Sequence, residues 1–245
     1  MICSIEVIVL VDSFSNASEM WQKLPLLQES ICDKEVSKIF SDKIITPARL
    51  GNYVDSLTSN RFHFQVGDGE LLYQHGIGPN TRYGRVLIVN LANSETEAES
   101  WISELLSDKR FVQARLYDDE YNSIQNATDP YLYEVLGLPY EHLPVISNGR
   151  PFPLEKQIID ISSHPGRHIG RVNYCEAVGS VMWLGELFWE VAGQNKEVVI
   201  QQDWLDVEVF ENYIKLKAQD HLFDSALGEQ GELQNRLRTL LFADT

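Results

Sequence analysis

Short apolar stretches divide the chain and predict its strands. Where apolar residues run together or alternate with polar ones, a buried or half-buried strand is typical. Such stretches lie at 2–11, 85–91, 111–117, 157–161 and 197–202. Two further stretches, 62–75 and 207–218, alternate on both sides of a turn, at Gly67-Asp68-Gly69 and at Glu211-Asn212, and each predicts a hairpin.

Helices are predicted where apolar residues recur three and four positions apart. The clearest case follows Ser94, which with Glu97 forms the capping-box pattern of a helix start. The apolar stripe of this helix comprises Ala98, Trp101, Ile102, Leu105 and Leu106. Other helices are predicted from about Ser18, over 26–40, and near the end of the chain, where one face carries Leu233, Leu237, Leu240 and Leu241.

Together these elements predict an α+β fold with a largely antiparallel sheet and two intimately packed halves. The N-terminal α/β half spans 1–122 and the C-terminal α+β half spans 157–245, with a single domain over 1–245 as the alternative. Between them, 123–156 holds five of the nine prolines, and prolines this dense predict a connection without regular structure. Its apolar residues are expected to be buried: Tyr131, Leu132, Tyr133, Val135, Leu136 and Leu138.

Charge narrows the possible partners. The chain has 36 Asp and Glu against 20 Lys and Arg, a net charge of −16. A protein that binds DNA or RNA directly neutralises phosphates with Lys and Arg, and anionic lipid attracts the same residues. Direct nucleic-acid and membrane binding are therefore not expected. Two explanations of the negative charge remain: a well-solvated surface, or attraction to a basic protein.

The start of the chain and the cysteines predict a cytoplasmic protein. The first residues lack the basic start of a signal peptide, and Glu6 interrupts the apolar run that follows. No stretch approaches the roughly 18 apolar residues of a membrane span. Cys3, Cys32 and Cys175 are odd in number and widely spaced, which fits reduced core thiols.

Common catalytic signatures are absent from the sequence: it has no GxSxG, P-loop, HExxH or GxGxxG pattern. His164 and His168 are four apart, but Pro165-Gly166 between them breaks the helix that a zinc pair would need. Cys175 with His168 and Glu176 suggests a nucleophile and a base, yet its acid-rich surroundings disfavour a thiolate. A buried, inert cysteine is the favoured interpretation, and no catalytic residue, metal or cofactor is expected.

Two other classes stay open. An enzyme of unfamiliar type would need convergent polar groups in a pocket, and the nearby residues to watch are His63, His75, Arg82 and Tyr83. A structural or adaptor protein would expose an apolar patch and self-associate. The aromatic residues Trp183, Phe188 and Trp189 fit either core positions, which we favour, or interface anchors.

A motif between 160 and 189 resembles a known family. It combines a strand ending in Asp160, a turn at Pro165-Gly166-Arg167, the step Glu176-Ala177-Val178-Gly179, and the run Trp183-Leu184-Gly185 followed by Phe188-Trp189. The chain thereby resembles the immunity protein 52 family of bacterial polymorphic-toxin and type VI secretion systems. The closing stretch 236–243 and the length of the chain also resemble that family. The strong match covers about thirty residues plus this tail.

The resemblance implies a cytoplasmic immunity protein that binds and neutralises a cognate toxin. For this family the toxin is usually a nuclease effector with a restriction-endonuclease-like domain. The family has no catalytic residues to transfer, and we expect its motif residues to be structural. These are Asp160, Pro165, Gly166, Arg167, Glu176, Gly179, Trp183, Gly185 and Phe188.

An acidic inhibitor would suit such a toxin, because a nuclease presents a cationic groove to phosphate. The inhibitor could occlude this groove with the help of electrostatic steering, or block a dimer that the toxin needs. When free it would be a monomer or a small homo-oligomer. The predicted toxin-binding residues are Glu95, Glu97, Glu99, Asp118, Asp119, Glu120, Asp203, Asp206 and Glu208. The alternative for each is a solvated face, and for the glutamates at the helix start a capping role.

Overall fold

The computed structural model describes residues 3–11, 16–38, 44–57, 61–75 and 81–242. The strands, in chain order, are β1 (Cys3–Leu10), β2 (Val36–Lys38), β3 (Ile44–Ile45), β4 (Arg61–Val66), β5 (Gly69–His75), β6 (Tyr83–Ala92), β7 (Phe111–Tyr117), β8 (Val145–Ser147), β9 (Gln157–Ile159), β10 (Ile169–Gly170), β11 (Cys175–Glu176), β12 (Val181–Gly185), β13 (Asp206–Val209) and β14 (Tyr213–Lys217).

The helices, in chain order, are α1 (Ala17–Gln22), α2 (Pro25–Ser30), α3 (Pro47–Asp55), α4 (Glu95–Leu106), α5 (Asp119–Gln125), α6 (Pro130–Leu136), α7 (Glu186–Ala192), α8 (Lys196–Ile200) and α9 (Gly228–Leu241). With a large antiparallel sheet beside these helices, the fold is α+β, as the sequence predicts.

One ten-stranded sheet runs through the protein, in the order β13-β14-β12-β7-β1-β6-β5-β4-β2-β3. The first strand of the chain, β1, lies inside this sheet between β6 and β7, and both pairings are antiparallel. On the other side of β7 the sheet continues with β12, where Trp183 lies opposite Ala114. The N-terminal and C-terminal parts of the chain therefore share a single sheet.

Both faces of the sheet are covered. The first face carries Ile5, Val7 and Val9 of β1, which pack in one apolar cluster with residues of α1 to α4. The second face carries Ile8, which belongs to a cluster with residues of α7 and α9. Side chains of a strand point alternately to opposite faces, so Glu6, next to Val7, lies on the second face.

Local signals in the sequence predict several of these elements correctly. Helix α4 begins as the capping box indicates: Ser94 accepts a hydrogen bond from the Glu97 backbone N–H at 3.1 Å. The Glu97 carboxylate accepts one from the backbone N–H of Asn93, at 2.7 Å, one residue before the cap. Both predicted hairpins are confirmed as β4–β5 and β13–β14.

Two predicted elements are wrong. The helix predicted over 26–40 ends at Ser30, and Val36–Lys38 instead forms β2, because it pairs with β4; residues 39–40 lie outside the described residues. The strand predicted over 197–202 is the helix α8, which Asn195 caps. In this short apolar run Val199 is buried while Val198 is exposed, and periodicity alone cannot separate such a helix from a strand.

The proline-rich stretch 123–156 is also not irregular. It contains α6 and β8, and the end of α5. Pro130 occupies the first turn of α6, where its missing N–H costs nothing, and Asp129 caps that helix. The predicted burial holds for Tyr133 but is wrong for four residues that are exposed: Tyr131, Leu132, Val135 and Leu136.

Candidate functional site

Five residues with reactive or charged side chains meet on the second face of the sheet. This polar centre consists of Glu6, Arg85, Arg115, His168 and Cys175. Glu6 on β1 lies directly opposite Arg115 on β7, and its carboxylate accepts a hydrogen bond from the Arg115 Nε at 2.7 Å. The other carboxylate oxygen contacts Arg85 on β6 and lies 3.1 Å from His168 Nε2.

The turn at Pro165-Gly166 brings His168 to this centre, and the end of α5 holds the turn in place. The backbone N–H of Gly166 donates to the Gln125 side chain at 3.2 Å, and that of His168 donates to Asn126 at 2.6 Å. His164 contacts the backbone carbonyl of Gln125 through its Nδ1, at 3.0 Å. The two histidines therefore serve separate contacts.

The backbone of Cys175 is also held in place, by the side chain of Gln113. The Gln113 side chain donates to its carbonyl at 2.9 Å and accepts from its backbone N–H at 3.2 Å. Its Sγ lies 2.8 Å from His168 Nε2. Burial, and next the charge of Glu6, raise the pKa of the Cys175 thiol well above its usual value, and the nearby arginines only partly oppose this. The sulfur is therefore a neutral thiol.

The arrangement does not form a nucleophile–base relay. In such a relay, one ring nitrogen of histidine takes the proton of the nucleophile while the other is oriented by a carboxylate. Here the same Nε2 of His168 faces both Cys175 and Glu6. Together with the raised thiol pKa, this geometry supports the inert cysteine that the sequence favours.

Glu6, His168 and Cys175 also present three possible metal ligands whose atoms lie within 4.8 Å of one another. They fit a metal poorly. Ligand bonds of the usual length in a tetrahedral zinc site hold sulfur and nitrogen about 3.5 Å apart, whereas this pair is 2.8 Å apart. Both Glu6 oxygens already face guanidinium groups, which would repel a cation.

The Glu6 carboxylate instead serves as the shared counter-charge of Arg85 and Arg115. Burial alone would raise the pKa of Glu6, but attraction to Arg85, Arg115 and His168 holds it well below its usual value. Arg115 makes two further hydrogen bonds, to the Val178 carbonyl and the Asn122 side chain. A cavity of about 10 Å³ beside Arg115 has room for roughly one water molecule. It is far too small for a substrate.

The residues of the enzyme alternative serve different contacts. His63 pairs with Glu70 at 2.7 Å, while Tyr83 is buried in the second-face cluster. The backbone N–H of Arg82 donates to the carbonyl of Val172 at 2.6 Å. The side chain of His75 lies outside the described part of the structure.

Residues of the family-like motif hold the backbone together. A Cβ at Gly179 would lie 2.3 Å from the backbone oxygen of Leu116, so only glycine allows this approach to β7. Trp183 and Phe188 are fully buried. Glu176 lies within ion-pair distance of arginines before and after it in the chain. A Cβ at Gly185 would lie 2.5 Å from the Phe111 carbonyl oxygen, and one at Gly166 would lie 2.7 Å from the Gln125 side chain. Asp160 and Arg167 make hydrogen bonds within their own turns.

Of the predicted toxin-binding residues, four gather between α4 and β13 around Lys215 and Lys217. Lys215 lies 2.8 Å from Glu95, 2.6 Å from Glu99 and 3.9 Å from Glu208. Asp206 lies opposite Lys217 in the strand pairing, and Lys217 also contacts Glu95. We call these four acids the α4–β13 patch: Glu95, Glu99, Asp206 and Glu208. The carboxylate of Glu97, on the same helix, instead accepts hydrogen bonds from Asn93.

The other predicted residues lie outside this patch. Asp118 caps α5 by accepting from the Tyr121 backbone N–H at 2.7 Å. Burial, followed by the charges of Asp118 and Glu70, raises the pKa of Asp119. Glu120 and Asp203 are exposed. Capping is thus one role of Asp118 and of Glu97, as the alternative interpretation holds.

Sequence reasoning missed the apolar surface at 127–161, which we call the arm. Eight of the fourteen large apolar side chains that are exposed in the described residues belong to it. They are Tyr131, Leu132, Val135, Leu136, Val145, Ile146, Phe152 and Leu154. The signal was present as a run of apolar residues between prolines, but it was interpreted as buried.

Cys3 and Cys175 are buried, but Cys32 is exposed, so the prediction of three core thiols is wrong for Cys32. Within the described ranges, no helix is both long and apolar enough to cross a membrane. Comparison with protein-family models, with curated proteins and with solved structures finds no match to this chain. The resemblance to the immunity protein family therefore stays a prediction.

Proposed function

We propose that this chain is an immunity protein that binds and neutralises a basic toxin, a nuclease effector of a polymorphic-toxin or type VI secretion system. It acts in the cytoplasm, where such a toxin meets nucleic acid. Inhibition requires affinity but no chemistry in the inhibitor, so the protein is not an enzyme. It either occludes the phosphate-binding groove of the toxin or blocks a toxin dimer.

The observation that carries the proposal is the preorganised α4–β13 patch on a chain of net charge −16. Lys215 fixes Glu95 and Glu99 in place, which leaves less side-chain freedom to be lost on binding. The exposed carboxylates of Asp206 and Glu208 lie beside these two glutamates and supply the negative charge that a cationic nuclease groove would attract. Long-range attraction of opposite charge also speeds encounter.

The polar centre supports the same class of function in a different way. Burial raises the pKa of its thiol, its carboxylate is engaged by arginines, and the adjacent cavity of about 10 Å³ has room for roughly one water. The residues that suggested an enzyme are thus used to hold the sheet and the segment 164–180 together. The motif between 160 and 189 adds the resemblance to immunity proteins.

The first test is co-expression with the product of the gene adjacent to this one, which the proposal expects to be a basic toxin. Survival of cells that produce both, together with a 1:1 complex after purification, is the expected result. Continued killing in the presence of the folded chain would overturn the proposal.

A second test addresses the patch directly. Asp206→Lys with Glu208→Lys should weaken binding about tenfold, mainly through slower association, and should flatten its salt dependence, because rim charges act on the encounter rate. A matched control reverses two exposed acids elsewhere, Glu190→Lys with Glu232→Lys. The measurement is the association rate of each variant, obtained by surface plasmon resonance at several salt concentrations. Equal rates for the patch variant and the control would contradict a role for the patch.

A further inference from the structure

The arm exposes more apolar surface than a solvated surface needs. Phe152 is 90% exposed and Tyr131 is 68% exposed, and six further large apolar residues of the arm are exposed with them. Single exposed apolar residues are ordinary, whereas a concentration of them in one structural unit marks a candidate interaction site. Tyrosine and other aromatic residues also dominate the binding energy of protein interfaces.

A small core of its own makes the arm a preformed platform. Tyr133 and Ile159 are buried in this core together with Ala127. The Tyr133 hydroxyl donates to the Ile124 carbonyl at 3.2 Å, which ties α6 to α5. β8 and β9 pair as a hairpin, and the backbone N–H of Ile159 donates to Thr128 at 2.9 Å. Since little has to be ordered, the exposed side chains can bind at low entropic cost.

Charge indicates the chemistry of the occupant. The arm carries five acidic and two basic residues, and one of these bases, Lys156, is paired with Asp129 at 3.1 Å. Glu134, Glu141 and Glu155 are exposed around the apolar side chains. A second copy of this chain would bring together two proteins of net charge −16, which opposes association. A basic protein matches both the apolar surface and its acidic surround.

We propose that the arm is the apolar anchor of the complex with the basic effector, and that it inserts Tyr131, Val135 and Phe152 into an apolar recess edged by Lys and Arg. This inference rests on the proposed function and names a surface for it. The arm and the α4–β13 patch are built from different elements. Substitutions in one therefore leave the other in place, so each can be tested separately.

The test uses the full chain and a catalytically inactivated form of the basic protein encoded beside it. The arm variant carries Tyr131→Ser, Val135→Ser and Phe152→Ser. A matched control carries three substitutions of exposed apolar residues outside the arm: Val172→Ser, Val198→Ser and Leu227→Ser. Circular dichroism and thermal unfolding verify that both variants fold. Isothermal titration at physiological and at high salt gives the affinities.

The arm variant should bind at least about 100-fold more weakly, and the control should bind within about threefold of the original chain. The loss should be similar at both salt concentrations, because apolar contacts are not screened. An arm variant that binds within threefold of the original chain and still protects cells would overturn the role of the arm as an anchor. The proposed function would remain intact.

Two further outcomes would overturn the inference in other ways. If the original chain is a dimer in sedimentation and the arm variant a monomer, the occupant is a second copy. If the original chain neither binds nor inhibits the effector, the proposed function is wrong, and the inference about the arm, which rests on it, is wrong as well.

Discussion

The polar centre and the arm use their side chains in opposite ways. In the centre, charged and reactive groups are buried and compensate each other, with Glu6 between Arg85 and Arg115. In the arm, apolar groups such as Phe152 and Tyr131 are exposed. Residues with the richest chemistry thus hold the fold, and residues with the plainest chemistry form the candidate binding surface. A search for function among reactive residues alone would therefore not reach the arm.

The comparison also concerns energy. A buried ion pair costs desolvation free energy that its attraction barely recovers, whereas loss of one partner leaves an uncompensated charge. The centre should therefore be very sensitive to substitution. The exposed side chains of the arm contribute almost nothing to folding, since they stay in water in both states.

The largest expected effect is on Glu6. Glu6→Gln keeps the shape of the side chain but leaves Arg85 and Arg115 without their buried counter-charge. We expect the free energy of unfolding to fall by about 3–5 kcal/mol, measured by urea denaturation at neutral pH. Tyr131→Ser in the arm should change it by no more than about 0.5 kcal/mol. Similar losses for the two variants would remove the contrast between the regions.

Lowering the pH should show the same difference between the polar centre and the arm, as a smaller change in the free energy of unfolding. The pKa of Glu6 is held below its ordinary value in the folded state, so its contribution to stability is fully present above the unfolded pKa of about 4.3. That contribution is lost as the pH falls through the folded pKa. The stability difference between the original chain and Glu6→Gln should therefore shrink below about pH 5, as urea denaturation at stepwise lower pH would measure.

Tyr131→Ser should show no such convergence and should follow the acid profile of the original chain. A Glu6→Gln variant whose deficit stays constant down to strongly acidic pH would contradict the assigned charge state of the centre.

The smallest global effect is expected for the core of the arm. Tyr133→Ala should open the arm locally, so that amides across 127–161 lose protection against hydrogen exchange. The free energy of global unfolding should change by less than about 1 kcal/mol, because the ten-stranded sheet does not depend on this small core. Hydrogen exchange with mass spectrometry makes the measurement, with Tyr131→Ala as the exposed control in the same helix. Loss of protection that spreads into β1 or β7 would show that the arm is part of the main core.

The sequence predicts what local signals encode. The stripe from Ala98 to Leu106 and its cap predict α4, and the Gly67-Asp68-Gly69 turn predicts β4–β5. Where the signal is short, the outcome depends on tertiary partners. Val36–Lys38 becomes a strand because β4 is available to pair with it. The periodicity of the sequence does not predict this pairing.

The polar centre could not be predicted from local pattern, because its five members come from four strands and a turn. One signal existed: Glu6 and Arg115 each place a charge inside an otherwise apolar strand, and buried charges are rarely unpaired. Pairing the two would have located the centre. The exposure of the arm is not predicted because large apolar residues are ordinarily buried, whereas those of the arm are exposed.

The position of β1 inside the sheet has a consequence for biosynthesis. Both neighbours of β1 come late, with β6 starting at Tyr83 and β7 at Phe111. At ordinary rates of translation, the ribosome needs roughly 5 to 20 seconds to make the hundred residues that separate β1 from β7. Until β6 is made, the apolar strand that will occupy the middle of the sheet has two open edges, and until β7 is made it has one. The nascent chain must therefore stay loosely folded, or be shielded by a chaperone, until its first strand can be enclosed.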